Sequence, residues 1–218
     1  MVPPLVQRLS RSFNGTTSPA VTSFRPSNVP VMNFRVFRPA VPEGFEWVFP
    51  VDPGDFEVFR TLSERQPGTV WEPIQMRLLK EDEHGRPWLR SAMPWLGGHA
   101  LILREEAIEA VGPLLAPYGE LLPLECDEAR LVVFSAPLVA NVLEESRSEI
   151  VRFASGRIMD IRRHAFNLGA LAGNSAFKLA ELPRGDLFVR GDLVDAIRAT
   201  GLTGGTEFRL IYDASTTV

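Results

Sequence analysis

The chain has 218 residues, a formal net charge of −4, and 45% hydrophobic against 23% charged residues, the balance of a folded globular protein. No apolar run approaches the ~20 residues a membrane-spanning helix needs, and a lone cysteine, Cys126, excludes an intramolecular disulfide and fits a reducing compartment. The first 40 residues hold five arginines and no acid, leaving 18 basic and 27 acidic side chains beyond them; such an acidic body argues against nucleic-acid binding and suits a basic partner.

Residues 1–31, rich in Ser, Thr, Pro and Asn without a sustained period, read as a disordered arm without the apolar stretch of a secretory signal. Either Met1 or Met32 serves as the start, and residues 32–218 read as a single domain whose one candidate lobe boundary falls at 125–129. Phe34, Val36 and Arg38 alternate with Arg35 and Phe37, and "FEWVFP" follows; both predict short strands. In "DPGDFEVFRTLSER" Asp52 is placed as a helix cap, Pro53 at the first helical position, and Phe56, Phe59 and Leu62 on one face. "TVWEPIQMRLL" reads as a bulged strand or strand pair interrupted by Pro73, and "KEDEHGRP" as a charged turn.

"REEAIEAVGPLLAPYGE" sets Ile108, Val111, Leu115 and Tyr118 at helical spacing, with Gly112 and Pro113 as a kink. "GELLPLE", "ARLVVFSAP", "GRIMDIRRHAF", "SAFKLAEL" and "GDLFV" read as strands, and 138–156 as short helix and loop. The class expected is α+β: a mixed or mostly antiparallel sheet of short strands, with two main helices at about 105–118 and 192–200.

The glycines of "LVDAIRATGLTGGTEFRLIYD" raise the question of a phosphate cradle. A phosphate loop follows a strand and precedes a helix, so that the helix amino end faces the anion. Here the order is reversed and no lysine is present. Asp192 is expected to cap the helix and Gly201 to stop it, with Leu202 folding back on Ile197. Thr203–Thr206 then turns the chain into a strand whose Phe208, Leu210 and Tyr212 share a face. The glycines read as a hinge.

Residues for chemistry are scattered. His84, His99 and His164 have no metal-ligand spacing. Cys126 is flanked by Glu125, Asp127 and Glu128, charges opposite to those a nucleophilic thiolate needs. Carboxylate pairs abound (Glu105/Glu106, Glu144/Glu145, Asp192/Asp195), which leaves a small acid–base hydrolase open. Trp71, Trp88 and Trp95 are interleaved with Glu81, Asp82 and Glu83. Either the tryptophans are core, or Trp88 and Trp95 with the three acids form a docking surface for a basic protein.

Several segments taken in order resemble a family of bacterial immunity proteins, the myxobacterial type encoded beside polymorphic toxin genes. They are "VWEPIQMRLL" (70–79), "MPWL" (93–96), "LLAPYGELLPLE" (114–125), "LEESRSE" (143–149), "SAFKL" (175–179) and the terminal 189–213 stretch. Ala92 stands where the family often has an acid, and Leu143-Glu144 where it tends to Leu-Asp. The resemblance implies a cytoplasmic protein that binds and neutralises a cognate toxin mole for mole, without cofactor, metal, nucleic acid or membrane. It carries over no catalytic residue and leaves oligomeric state open. Two other readings stand beside it: a hydrolase that reverses the toxin's modification, and a binding module unrelated to toxins.

Overall fold

Val36 and Phe37 point to opposite faces of the first strand and both are buried, so the sheet they belong to is covered on two sides. The computed structural model describes residues 34–66, 68–171 and 173–216; the expected arm at 1–31 lies outside them. The described strands are β1 (Arg35–Ala40), β2 (Trp47–Pro50), β3 (Met76–Leu79), β4 (Leu101–Arg104), β5 (Glu120–Leu124), β6 (Leu131–Ser135), β7 (Leu138–Val139), β8 (Glu149–Arg152), β9 (Ile158–Arg163), β10 (Ala176–Leu179), β11 (Phe188–Arg190) and β12 (Glu207–Asp213). The described helices are α1 (Phe56–Thr61), α2 (Glu106–Ala110), α3 (Gly112–Leu115) and α4 (Gly191–Ala199).

The architecture is α+β, as the patterning implies. One sheet runs β12-β1-β11-β10-β7, antiparallel except for β10 beside β7; a second runs β4-β6-β5; β2–β3 and β8–β9 are separate antiparallel pairs. Phe37, Ala176 and Val189 face a central core shared with Leu101, Leu103, Phe134 and α4. Val36, Phe177 and Phe188 face a second core closed by Ile158, Ile161 and Phe166. Ile102 and Val133, on the far side of the smaller sheet, meet Val48, Phe59 and Met76 in a third. Both sheets are therefore covered on two faces, which is why "AFKL" and "LILR" are unbroken buried runs with no polar alternation.

Local signals and packing agree at several joints. Gly54 N–H donates to Asp52 Oδ1 at 2.8 Å and Pro53 follows at the first position of a 3-10 turn that leads into α1. Pro113 cannot donate to the preceding turn, and the expected helix at 105–118 divides at Val111 into α2, α3 and a short 3-10 turn. Gly201 ends the last helix at φ +72°, donating to Arg198 O at 3.0 Å, and Leu202 packs into the core that holds Ile197.

Four expectations are corrected. α4 begins one residue earlier than read, with Arg190 as its cap; Asp192 makes no capping bond and instead pairs with Arg190 at 3.3 Å. In β12 the register shifts between Val36↔Tyr212 and Phe37↔Leu210, so Phe208, Leu210 and Tyr212 do not share a face: Phe208 packs in the central core and Tyr212 in the second, while Leu210 is exposed. Of "TVWEPIQMRLL" only Met76–Leu79 is strand. Within 138–156, β7 and β8 appear where helix and loop were expected.

Candidate functional site

The nominated acids sit on one tight turn. Glu81 and Pro87 close it, and Asp82 organises it: Oδ1 accepts from His84 N–H at 2.9 Å and Arg86 N–H at 3.0 Å, while Oδ2 pairs with the Arg86 guanidinium at 2.6 Å. Those bonds, the Arg86 backbone amide foremost, hold the Asp82 carboxyl below its ordinary range. Glu81 and Glu83 project outward, exposed.

The turn delivers Trp88, whose backbone N–H donates to Lys80 O at 2.7 Å, onto the face of Trp47. The two rings stack with centroids 5.9 Å apart and planes at 29°, and Trp47 meets Phe49 edge-on at 5.9 Å. Trp95 joins through the backbone, where Val48 N–H donates to Trp95 O at 2.9 Å. Trp88 and Trp95 are thus both brought to Trp47, a residue the sequence reading did not nominate. Trp47, Trp88 and Trp95 are half-buried, and beside them Leu89 is 64% exposed.

Charge around this platform is mostly negative. Lys80 pairs with Glu128, which ties the 81–87 turn to the β5–β6 turn and its Glu125 and Asp127. Of the cations nearby, Arg86 pairs with Asp82, Lys80 with Glu128 and Arg130 with Glu109, while Arg77, exposed on β3 opposite Phe49, has no ion pair among the described residues. Glu81, Glu125 and Asp127 have no cationic partner among the described residues, so the surface keeps uncompensated negative charge. Cys126 lies between Glu125 and Asp127 in the wall of an open cleft of about 640 Å³. Trp71 stands apart from the platform: its indole donates to Pro123 O at 2.7 Å and Arg65 covers its ring at 5.1 Å.

The carboxylate pairs are each engaged by arginine. Glu105 and Glu106 share Arg90, whose hydrogen bonds bring Glu106 down to about 2. Glu144 pairs with Arg147 at 3.2 Å and Glu145 with Arg152; Asp195 pairs with Arg35 at 2.7 Å. A general acid needs a carboxyl raised toward neutrality, and Glu106 is driven the other way.

A second polar centre gave no motif. Lys178, on β10, faces the same side as Ala176 and is buried. Asp186 pairs with Arg38 at 3.0 Å, and its charge also acts on Lys178, His99 and His164. Burial, reinforced by Lys178 and Arg60, brings His99 down to about 4; burial first and Arg38 next lower His164, whose ring stacks on Phe166 at 5.7 Å. The available signal was a lysine inside the apolar run "SAFKLAEL". Among the described residues no group of three His, Cys, Asp or Glu side chains is arranged to hold a metal, and no helix is long and apolar enough to cross a membrane. No protein-family model matches the chain, and a search of curated proteins finds no relative.

Proposed function

We propose that this is a bacterial immunity protein that binds a cognate protein toxin in the cytoplasm and blocks it stoichiometrically, without itself being an enzyme. The observation that carries the reading is the Trp47–Trp88 stack on a surface that also carries Glu81, Glu125 and Asp127, none of which forms an ion pair among the described residues. Half-buried tryptophan is the side chain most often found at the energetic centre of a protein interface. Uncompensated acids around it raise the capture rate of a basic partner, which matters when the partner kills. The ordered resemblance of 70–213 to the immunity family points the same way.

The test is co-expression with the toxin encoded beside it, titrating this protein while following survival and isolating the complex. Survival that rises to a plateau at one equivalent, with a 1:1 complex, is the expected result. Protection at a small fraction of the toxin's dose with no complex overturns blockade in favour of a hydrolase. A stable complex that leaves toxicity untouched overturns the toxin assignment.

A further inference from the structure

One face of the β2–β3 pair is covered by the rest of the fold. Val48 and Met76 are buried in the third core, and Leu78 packs against it. Side chains alternate along a strand, and directly opposed residues share a face. Trp47 with Leu79, and Phe49 with Arg77, therefore lie on the other side. Among the described residues the pair is a two-stranded sheet of its own, and Trp47, Phe49 and Leu79 stay half-buried. Trp88 lies against Trp47 at one end of the row and Phe56 against Phe49 at the other, with centroids 5.9 and 5.8 Å apart. Phe49 and Phe56 also reach the third core, which anchors that end. Val51, whose N–H donates to Gln75 O at 2.9 Å, extends the row and is 53% exposed.

Two kinds of charge border this outer face. Glu81 follows Leu79 by two residues, and Glu125 lies beside β3 through its bridge to Gln75. Neither forms an ion pair among the described residues. Such acids suit a partner that brings basic side chains to the flank of the contact. Arg77 has the opposite sign: it sits beside Phe49 within the apolar row, exposed and likewise without an ion pair among the described residues. A surface that covers Phe49 takes Arg77 out of water with it. A guanidinium buried without a carboxylate is costly, so the covering surface has to bring one.

We propose that the toxin docks on the outer face of the β2–β3 pair through an apolar strip, with basic side chains toward Glu81 and Glu125 and a carboxylate opposite Arg77. The inference rests on the toxin-binding reading above and adds the partner's side of the contact. Attraction to the acids acts at long range and speeds encounter. The Arg77 pair forms only once the face is dry, so it acts on the lifetime of the complex and on its register. A second copy of this chain fits the face less well, because it brings the same unpaired acids with it.

The test is the binding kinetics of the full chain and three surface variants with the toxin encoded beside it. Arg77→Glu makes the surface more acidic, so association is expected to be as fast as in the wild type or faster. Dissociation is expected to speed up about thirtyfold or more, the effect of losing one side of a buried charge pair. Val51→Arg, on the proposed face, is expected to weaken binding about tenfold. Phe153→Arg, at a position 47% exposed in the turn between β8 and β9, leaves binding unchanged. Binding of Arg77→Glu that is as tight as the wild type or tighter overturns the proposal, because it shows a partner with basic groups alone at this position. Equal effects of Val51→Arg and Phe153→Arg overturn it as well. The absence of any complex with the wild type overturns the toxin reading itself, and this inference falls with it.

Discussion

Replacing Glu46 by Gln leaves the Arg104 guanidinium inside the protein without its counter-ion. The two groups are 2.6 Å apart with each side chain 9% exposed, and Glu46 also accepts from Ser91 N–H at 3.2 Å. Glutamine fills the same space and still offers Ser91 an oxygen, so charge is what is removed. Breaking one side of a buried pair costs about 3–5 kcal/mol. Arg104 keeps a longer contact with Glu105 at 3.8 Å, but that carboxylate is well exposed and offsets about 1 kcal/mol at most. The loss expected is about 3 kcal/mol, which for a chain of this length lowers Tm by about 6–12 °C. Urea and thermal unfolding followed by tryptophan fluorescence measure it. The double variant Glu46→Leu/Arg104→Met, with neither charge left to bury, recovers at least half of the loss. A Glu46→Gln cost below about 1 kcal/mol, or a double variant as unstable as the single, refutes the reasoning.

Trp88→Ala removes the upper ring of the Trp47 stack, and its affinity for the toxin falls by about 2 kcal/mol or more, roughly thirtyfold, in calorimetry. Charge reversal at Glu81, Glu125 and Asp127 instead slows association and flattens its salt dependence, read by stopped flow. Stability rises with pH in two windows. His99 is at about 4 folded and 6.5 unfolded, so the unfolded chain alone takes up a proton between them and stability is lost as pH falls through that range. Lys178, at about 8 folded and 10.5 unfolded, adds stability as pH climbs between those values, about 3 kcal/mol in all. Denaturant titrations across pH check both, with His99→Gln flattening the lower slope and Lys178→Met the upper. Gly201→Ala and Gly205→Ala separate backbone strain from steric clash. The first has φ +72° and open space, and costs about 1–2 kcal/mol. The second has φ +95° with the new Cβ 2.5 Å from Ser91 Oγ and 2.6 Å from Met93 O, and costs clearly more in the same urea assay.

What was legible in the sequence was local. Asp52-Pro53 carries its own cap chemistry, Gly201 its own left-handed stop, and Pro113 its own break, so each could be placed from a few neighbours. What was missed depends on partners far along the chain. Tyr212 fits the alternation of Phe208 and Leu210, and only the pairing of β12 with β1, more than 170 residues away, reveals the bulge that carries it to the opposite core. Trp47 lies about 40 residues before the tryptophan it stacks on, in a segment that reads as an ordinary strand. Lys178 is buried with the charges of Glu64 and Asp186 acting on it, and nothing within "SAFKLAEL" announces that company. Glu46 reads as a polar position on an alternating strand, yet it faces Arg104 in the interior.

The same long-range contacts that hid the platform also hold it still. Trp47 and Trp88 ride on two segments, 44–48 and 88–95, joined by backbone bonds from Glu46 N–H to Leu89 O and from Val48 N–H to Trp95 O, both 2.9 Å. Glu46 is buried between Phe45 and Trp47, where its carboxylate reaches Ser91 and Arg104. From the other side the glycine turn locks the second segment: Met93 N–H donates to Gly204 O at 2.8 Å and Thr206 Oγ1 to Met93 O at 2.9 Å. Gly205 is pressed so close to Ser91 and Met93 that no side chain fits, so the glycines that resembled a phosphate cradle act as a clamp beneath the segment carrying Trp88 and Trp95. In the toxin-binding role proposed above, aromatic anchors ordered beforehand are an advantage, because ordering a large side chain on binding costs about 0.5–1.5 kcal/mol. Loosening the clamp with Gly205→Ala should therefore weaken toxin binding more than Gly201→Ala does, even where both variants remain folded; equal affinities for the two would show that the platform's order does not depend on the turn beneath it.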